Sequence, residues 1–218
     1  MTGGDSFPSS AGCAVVEAMV ATIDANAALL SEIDGAIGDG DHGINMRKGF
    51  LLAREALPAG ADLSTGLEIL GDALLTKIGG AMGPLYGTFF VDMADACAGA
   101  ERIDAAVFGH MLAAGHDSIV DLGGASVGDK TLLDTLAPAV AAYQAALDEG
   151  ASFDAALRAM VRGAEQGKES TRDLVARVGR ASRLGERSRG ALDAGATSSW
   201  LLLAAMADSM GELLRQEG

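Results

Sequence analysis

Three aspartates, one histidine and four glycines share twelve consecutive residues, Asp34-Gly-Ala-Ile-Gly-Asp39-Gly-Asp41-His42-Gly-Ile-Asn45. Carboxylates this close repel one another unless a cation lies between them, and hard oxygen ligands suit Mg²⁺ or Ca²⁺ better than a soft transition metal. Glycines let the backbone bend round a ligand and bring amide N–H groups close to it. A helical pattern starts near Gly43, and a helix N-terminus favours a phosphate. The stretch therefore reads as a loop that holds Mg²⁺ and phosphate. Plainer readings compete: Asp-Gly pairs are turn signals, and Asp is an ordinary helix cap. An EF-hand loop also gathers aspartates but needs Glu at its twelfth position. Counting from Asp34 reaches Asn45, and counting from Asp39 reaches Phe50.

Three more stretches carry chemistry. Gly79-Gly80-Ala81-Met82-Gly83-Pro84 puts backbone amides beside a helix start, a phosphate contact in kind. Gly123-Gly-Ala-Ser-Val-Gly128-Asp129-Lys130-Thr131 resembles the end of a P-loop in composition, but Asp129 separates Gly128 from Lys130 and no strand precedes it. From Lys168 to Arg189 there are seven basic residues against three acidic ones, including Arg180, Arg183, Arg187 and Arg189; Asp193-Ala194-Gly195 follow. Other chemistries fit less well. His110 and His116 lie on an apolar helix without metal spacing to Cys13 or Cys97. Ser198 and Ser199 follow Gly-Ala-Thr and form no nucleophile elbow, and Trp200 heads an apolar helix as a core residue.

The elements that must position these stretches read as helices. Nearly half of the 218 residues are hydrophobic and 4% are aromatic, a balance that favours close-packed helices over sheets. Residues 1–10 are polar and Gly/Ser-rich, and are expected to be disordered. A single domain is expected over 11–218. Val16, Met19, Ile23, Ala27 and Leu30 form one apolar stripe of a first helix. A second covers roughly 43–57. Thr65 and Glu68 have capping-box spacing for a third. Pro84 suits the first turn of a fourth, ending before Gly99. Asp104 can cap a fifth. A sixth begins near Asp129 with Pro138 inside it, Ser152 starts a seventh, a long loop covers 175–193, and an eighth follows from Ala194. No segment alternates long enough for a strand.

Eight helices in antiparallel up-and-down order put every odd-numbered connection at one end. Those are the four stretches above, so the Asp-rich loop, the glycine turn, the Lys130 loop and the Arg-rich segment are expected on one rim. Phosphoryl transfer needs such parts: a metal to neutralise charge, and amides and guanidinium to hold oxygens.

The net charge of −14 argues against nucleic-acid and membrane-surface binding. Cys13 and Cys97 read as buried thiols of a reducing compartment, and no run of 18 apolar residues or basic leader is present, so a cytoplasmic protein is expected.

Ile37-Gly-Asp-Gly-Asp-His-Gly-Ile-Asn45, Gly79-Gly-Ala-Met-Gly-Pro-Leu-Tyr-Gly-Thr88, Gly128-Asp-Lys-Thr131, and Gly179-Arg-Ala-Ser-Arg-Leu-Gly-Glu-Arg-Ser188 with Asp193-Ala-Gly-Ala-Thr-Ser198 resemble, in order, the nucleotide-binding L subunit of dihydroxyacetone kinase. The resemblance implies an eight-helix antiparallel barrel whose rim binds nucleotide. It implies that Asp34, Asp39 and Asp41 hold two Mg²⁺ ions and act in catalysis. His42, Gly43, Ile44 and Asn45 would contact phosphates, as would Ala81 and Met82. Gly123 and Leu132 would flank the adenine, with Lys130 and Thr131 beside them in the cofactor site. Arg180, the fourth residue expected to act in catalysis, would close over the nucleotide with Asp193, Ala194 and Gly195. The ketose would be held covalently by a separate K subunit. ADP would be a resident coenzyme, rephosphorylated by the phosphohistidine-carrying M subunit of the phosphotransferase system. A homodimer is kept among the expected assemblies. Two alternatives stand beside it: an ATP-dependent kinase subunit for a related ketose such as erythrulose, and a non-catalytic nucleotide-binding regulator. The sequence departs from the family's usual Gly-Gly-Ala-Ser-Gly turn at Met82, which removes a hydroxyl donor. Losing such a bond to a charged partner costs about 1 to 3 kcal/mol. Ala194 replaces a usual proline.

Overall fold

The computed structural model describes residues 4–218. Eight α-helices make up nearly all of it: α1 (Cys13–Ile37), α2 (His42–Ala56), α3 (Leu63–Lys77), α4 (Met82–Ala96), α5 (Ala105–Gly123), α6 (Leu133–Asp148), α7 (Phe153–Ser170) and α8 (Ala194–Gln216). Each helix packs on the next along the chain, and α8 returns to pack on α1, which closes a ring. One apolar core runs through it, from Val16, Met19 and Ile23 of α1 to Leu202, Met206 and Met210 of α8. α1 is long and apolar enough to cross a membrane by length and composition. Here it is one wall of the ring, with Val16, Met19, Val20 and Ile23 fully buried.

Local chemistry sets the helix starts. Asp104 accepts from the Val107 amide at 2.8 Å, and Ser152 from the Ala155 amide at 3.3 Å, as their positions suggest. α3 starts three residues earlier than a Thr65–Glu68 capping box implies. Asp62 accepts from the Thr65 amide at 2.8 Å and is the cap, and the buried Leu63 behind it draws the first turn into the core. α6 starts at Leu133, because Asp134 turns back and accepts from the Thr131 amide at 2.7 Å and the Gly128 amide at 2.5 Å, which holds residues 128–131 in a loop.

Pro138 lies inside α6 and cannot donate to the Asp134 carbonyl. α7 approaches α6 closely at that point. A Cβ on Gly167 would fall 2.0 Å from the Asp134 carbonyl oxygen, and one on Gly163 would fall 2.6 Å from the Pro138 oxygen. Two glycines one turn apart thus let the two backbones touch.

Two expectations need correction. Residues 4–10 are ordered, while residues 1–3 of the expected disordered segment lie outside the described residues. Ser6–Pro8 (β1) pairs antiparallel with Arg102–Asp104 (β2), with Phe7 opposite Ile103. Both side chains are fully buried, so the one aromatic residue of the polar N-terminus is what orders it. Arg102 donates to the Ser6 carbonyl at 2.8 Å and to Glu217 at 2.7 Å, and the Gly4 amide donates to the Leu214 carbonyl at 2.9 Å. These short strands plug the end of the ring where the even-numbered connections lie. The second correction concerns Cys13, which is half-buried rather than buried; Cys97 is buried, and both are free thiols.

Candidate functional site

At the opposite end a cavity of about 580 Å³ is lined by all four odd-numbered connections. Asp34, Asp39, Asp41, His42 and Asn45 come from the first, Gly79–Met82 from the second, Lys130–Leu132 from the third, and Arg180 with Asp193, Ala194 and Gly195 from the fourth. The alternation of an up-and-down ring explains this convergence. It also sets the field, because the first residues of α2, α4, α6 and α8 (His42, Met82, Leu133 and Ala194) all line the cavity. Four positive helix ends face one space, an arrangement that favours an anion.

The carboxylates lie on its edge. One oxygen from each of Asp34, Asp39 and Asp41 lies within 4.8 Å of the other two. Asp34 is in the last turn of α1, at the negative end of that helix dipole, which adds to the demand for a cation. Gly38 accommodates it: a Cβ there would fall 2.4 Å from Asp34 Oδ1. Gly40, at φ 77°, turns the chain in the left-handed region that glycine tolerates. The Arg180 guanidinium pairs with Asp39 and is the cation found on this cluster. An all-oxygen, triply acidic donor set with one exposed guanidinium beside it fits Mg²⁺.

Behind the carboxylates is a buried polar network. His42 Nε2 lies 2.9 Å from Ser198 Oγ, and the His42 amide points at Asp34 Oδ2 from 3.4 Å. Burial pushes the His42 imidazole down to about 4, partly offset by the Asp34 charge, so the ring is neutral at pH 7. Tyr86 OH donates to the Gly195 carbonyl at 2.9 Å and lies 2.6 Å from Ser198 Oγ and 3.1 Å from Ser199 Oγ. Burial raises Tyr86 to about 12. Asp193 caps α8 by accepting from the Ala196 amide at 2.7 Å. Burial raises its carboxyl to about 6, against the pull of the Ala196 amide and of Lys130, with Asp134 and Asp34 adding to the rise.

Some expected site residues are placed otherwise. Gly43 packs against α1, where a Cβ would fall 1.9 Å from the Ala27 carbonyl, and Ile44 is 64% exposed; neither lines the cavity. Gly123 ends α5, and its surroundings lie outside the described residues. Lys130 lines the cavity, but its ammonium does not point a free charge into it. It is 3% exposed, and Nζ donates to the carbonyls of Thr171, Leu174, Ser188 and Ala191 at 2.7, 3.3, 2.8 and 2.6 Å. The P-loop-like composition of this stretch therefore does not translate into a phosphate-binding lysine. The expected loop over 175–193 contains a 3-10 stretch, Arg180–Ser188, broken at Gly185 (φ 55°).

Tyr86, Leu85, Ile119 and Val178 have no role in the sequence-based expectations, yet all four line the cavity, and Ser198 and Ser199, set aside above as nucleophiles, hydrogen-bond Tyr86. The Tyr86 signal was available: a rare aromatic one turn after Met82, on the face that carries Met82 into the rim.

Comparison with known proteins gives a consistent result. The DAK2 domain matches residues 36–208. The chain is 41% identical over 180 residues to the ADP-binding subunit DhaL of the PEP-dependent dihydroxyacetone kinase of Escherichia coli, covering 82% of this chain and 86% of that protein. It is 37% identical over 183 residues to the D-erythrulose kinase of Mycolicibacterium smegmatis, covering 82% of this chain and 32% of that protein. Among solved structures, the dihydroxyacetone kinase of C. freundii in complex with AMP-PNP and Mg²⁺ matches with a TM-score of 0.64 and 26% identity. That match covers 91% of this chain, which spans about a third of the kinase chain.

Proposed function

The chain belongs to the DAK2 domain family, and we propose that it is the nucleotide-binding subunit of a dihydroxyacetone kinase. In this reading ADP or ATP occupies the rim cavity, and a phosphoryl group passes from it to dihydroxyacetone held covalently on a separate K subunit. The carrying observation is the convergence of three carboxylates, a guanidinium and four helix N-termini on one cavity.

Asp34, Asp39 and Asp41 would hold two Mg²⁺ ions, which supply positive charge to the phosphates when bound. The starts of α2 and α4, with His42 and Asn45 on the first and Ala81 and Met82 on the second, line the cavity where the same phosphates would lie. Neutral His42, fixed by Ser198, adds a hydrogen-bonding wall without a competing charge. Arg180 brings the exposed guanidinium to the transferred group, and Ile119, Leu132 and Val178 offer an apolar wall to the base. No nucleophile is required of this chain, because the acceptor comes with the partner.

Relatives named PEP-dependent in Escherichia coli and PTS-dependent in Lactococcus lactis support the coenzyme form of the cycle. There ADP stays bound and a phosphohistidine-carrying M subunit restores its phosphoryl group. Among the described residues, Leu29, Ile44, Leu75, Val120, Leu122 and Val127 expose large apolar side chains; Ile44, Leu75, Val120 and Leu122 lie at the rim ends of their helices and Val127 in a rim connection, with Leu29 further down α1, which supports docking of a partner over the cavity. Free thiols at Cys13 and Cys97 support a cytoplasmic setting. The likeness to D-erythrulose kinase favours a second reading, an ATP-dependent kinase subunit for a longer ketose.

Calorimetric titration with ADP and ATP, each with and without Mg²⁺, tests the proposal. Tight, Mg²⁺-dependent ADP binding that exchanges slowly is the expected result. Preference for ATP with fast exchange would favour the second reading, and no binding of either nucleotide would overturn both.

A further inference from the structure

The segment between α7 and α8 divides into a stem and a tip. The stem is 171–177 with 188–191, and the tip, 178–187, carries Val178, Gly179, Arg180 and Ala181 into the cavity. Glycines in the left-handed region lie within the tip, Gly179 at φ 70° and Gly185 at φ 55°. The stem is closed on itself by the Gly190 amide on the Arg172 carbonyl at 2.7 Å and the Ala176 amide on Ser188 Oγ at 2.9 Å. It is tied to the Lys130 loop by the Arg177 amide on the Asp129 carbonyl at 3.1 Å.

Lys130 lies under this stem. Its four carbonyl partners are shared between the strands of the stem, Thr171 and Leu174 on one and Ser188 and Ala191 on the other. An ammonium offers three protons, so four oxygens within 3.3 Å saturate it. The residue reaches this place at φ 63°, the one non-glycine in the left-handed region among the described residues. A side chain held in an uncommon backbone conformation, buried, and spent wholly on carbonyls of another connection is not explained by local folding.

We propose that Lys130 is the positioning residue of this segment, which forms a flap over the cavity: by clamping both strands of the stem, its ammonium fixes where the tip places Arg180. This rests on the reading of the cavity as a Mg²⁺-nucleotide site in which Arg180 meets the phosphates. Lys130 acts through backbone carbonyls and does not touch the nucleotide. The same loop contributes Thr131 and Leu132 to the cavity wall, so one clamp joins the wall and the flap.

The test uses the full chain with Mg²⁺-ADP, comparing Lys130→Met, Arg180→Ala and the double variant by calorimetry and by tryptic cleavage within 178–187. Loss of a charge-assisted contact is worth roughly a tenfold to hundredfold weaker binding. Arg180→Ala is expected to weaken binding about tenfold and Lys130→Met by a similar factor, with the double variant no weaker than Arg180→Ala alone. Lys130→Met should also remove the protection of the tip that Mg²⁺-ADP confers on the native chain. Should Lys130→Met fail to fold, Lys130→Gly, which the positive φ accommodates, is titrated with n-propylammonium, and the added amine is expected to restore protection and affinity. Wild-type affinity in Lys130→Met, multiplied losses in the double variant, or no restoration by the amine overturns the proposal. Wild-type affinity in Arg180→Ala overturns instead the reading of the cavity on which it rests.

Discussion

The two ends of the ring are built from opposite solutions to the same problem, how to finish a helical barrel. At the closed end β1 pairs with β2, Phe7 and Ile103 fill the opening, and Arg102 ties the N-terminus to Glu217. There Arg102 is partnered by Ser6 and Glu217, and Phe7 and Ile103 are fully buried. At the rim three carboxylates share a space with a single guanidinium, and apolar side chains face solvent. Burial and pairing stabilise the first end, whereas the second keeps charge and surface in reserve for a ligand and a partner. The comparison predicts that substitutions separate cleanly: rim changes move binding, closed-end changes move stability.

The largest effect is expected from the rim. Asp39→Asn removes one metal ligand and should weaken Mg²⁺-ADP binding by roughly a hundredfold or more, measured by calorimetry. In metal-free buffer the same variant should melt no lower than the native chain, because it relieves repulsion within the carboxylate cluster. A large fall in melting temperature would break the separation. At the other end Phe7→Ala empties a fully buried aromatic site and should cost about 3 to 5 kcal/mol. That is a fall in melting temperature of roughly 10 °C for a chain of this size. Mg²⁺-ADP affinity at a temperature where the variant is folded should stay unchanged.

Between these ends the α6–α7 seam gives a smaller effect. Gly167→Ala places a methyl on the Asp134 carbonyl, whose bond Pro138 cannot make, and should destabilise by about 1 to 3 kcal/mol as the helices move apart. Asp134 also holds the Gly128–Thr131 loop, so this variant sharpens the comparison: it is the one core change expected to reach the rim, as a mild loss of nucleotide affinity.

These contrasts show what could be read from the sequence. The helices were legible because apolar stripes such as Val16, Met19 and Ile23 and caps such as Asp104 and Ser152 act within a few residues. The rim was legible because an antiparallel ring leaves odd connections no other place. Asp62 displaced Thr65 as a cap because both are good caps, and burial of Leu63 chose between them. β1 was missed because a three-residue strand has no period, and its anchor Phe7 pairs across 96 residues in sequence with Ile103. The fate of Lys130 was not legible. Its partners are backbone carbonyls, which every residue has, brought together by the irregular path of 171–191. The network of Tyr86, Ser198 and Ser199 was hidden because these residues pair across more than 100 positions.

The smallest effect concerns pH, and it distinguishes two buried rim groups that pull in opposite directions. Asp193 is held at about 6, against an ordinary 3.8, so between these values the folded chain keeps a proton that the unfolded chain has lost. Raising the pH through that window strips the proton from a buried carboxyl, and stability falls. His42 is held at about 4, against an ordinary 6.5, so over its window the unfolded chain binds a proton that the folded chain refuses. Raising the pH there removes that advantage of the unfolded state, and stability rises. The windows overlap, so the native chain in metal-free, nucleotide-free buffer should show a shallow profile between pH 4 and 6. Asp193→Asn keeps a helix cap and leaves His42 unopposed, so its stability should climb with pH across this range. His42→Gln leaves Asp193 unopposed, so its stability should decline. Denaturant midpoints of the three proteins at several pH values check this. Parallel profiles would mean that neither group is as dry as its place behind the carboxylates implies. The contrast between a sealed end and a charged rim would then stop at the surface of the cavity and not extend into its wall.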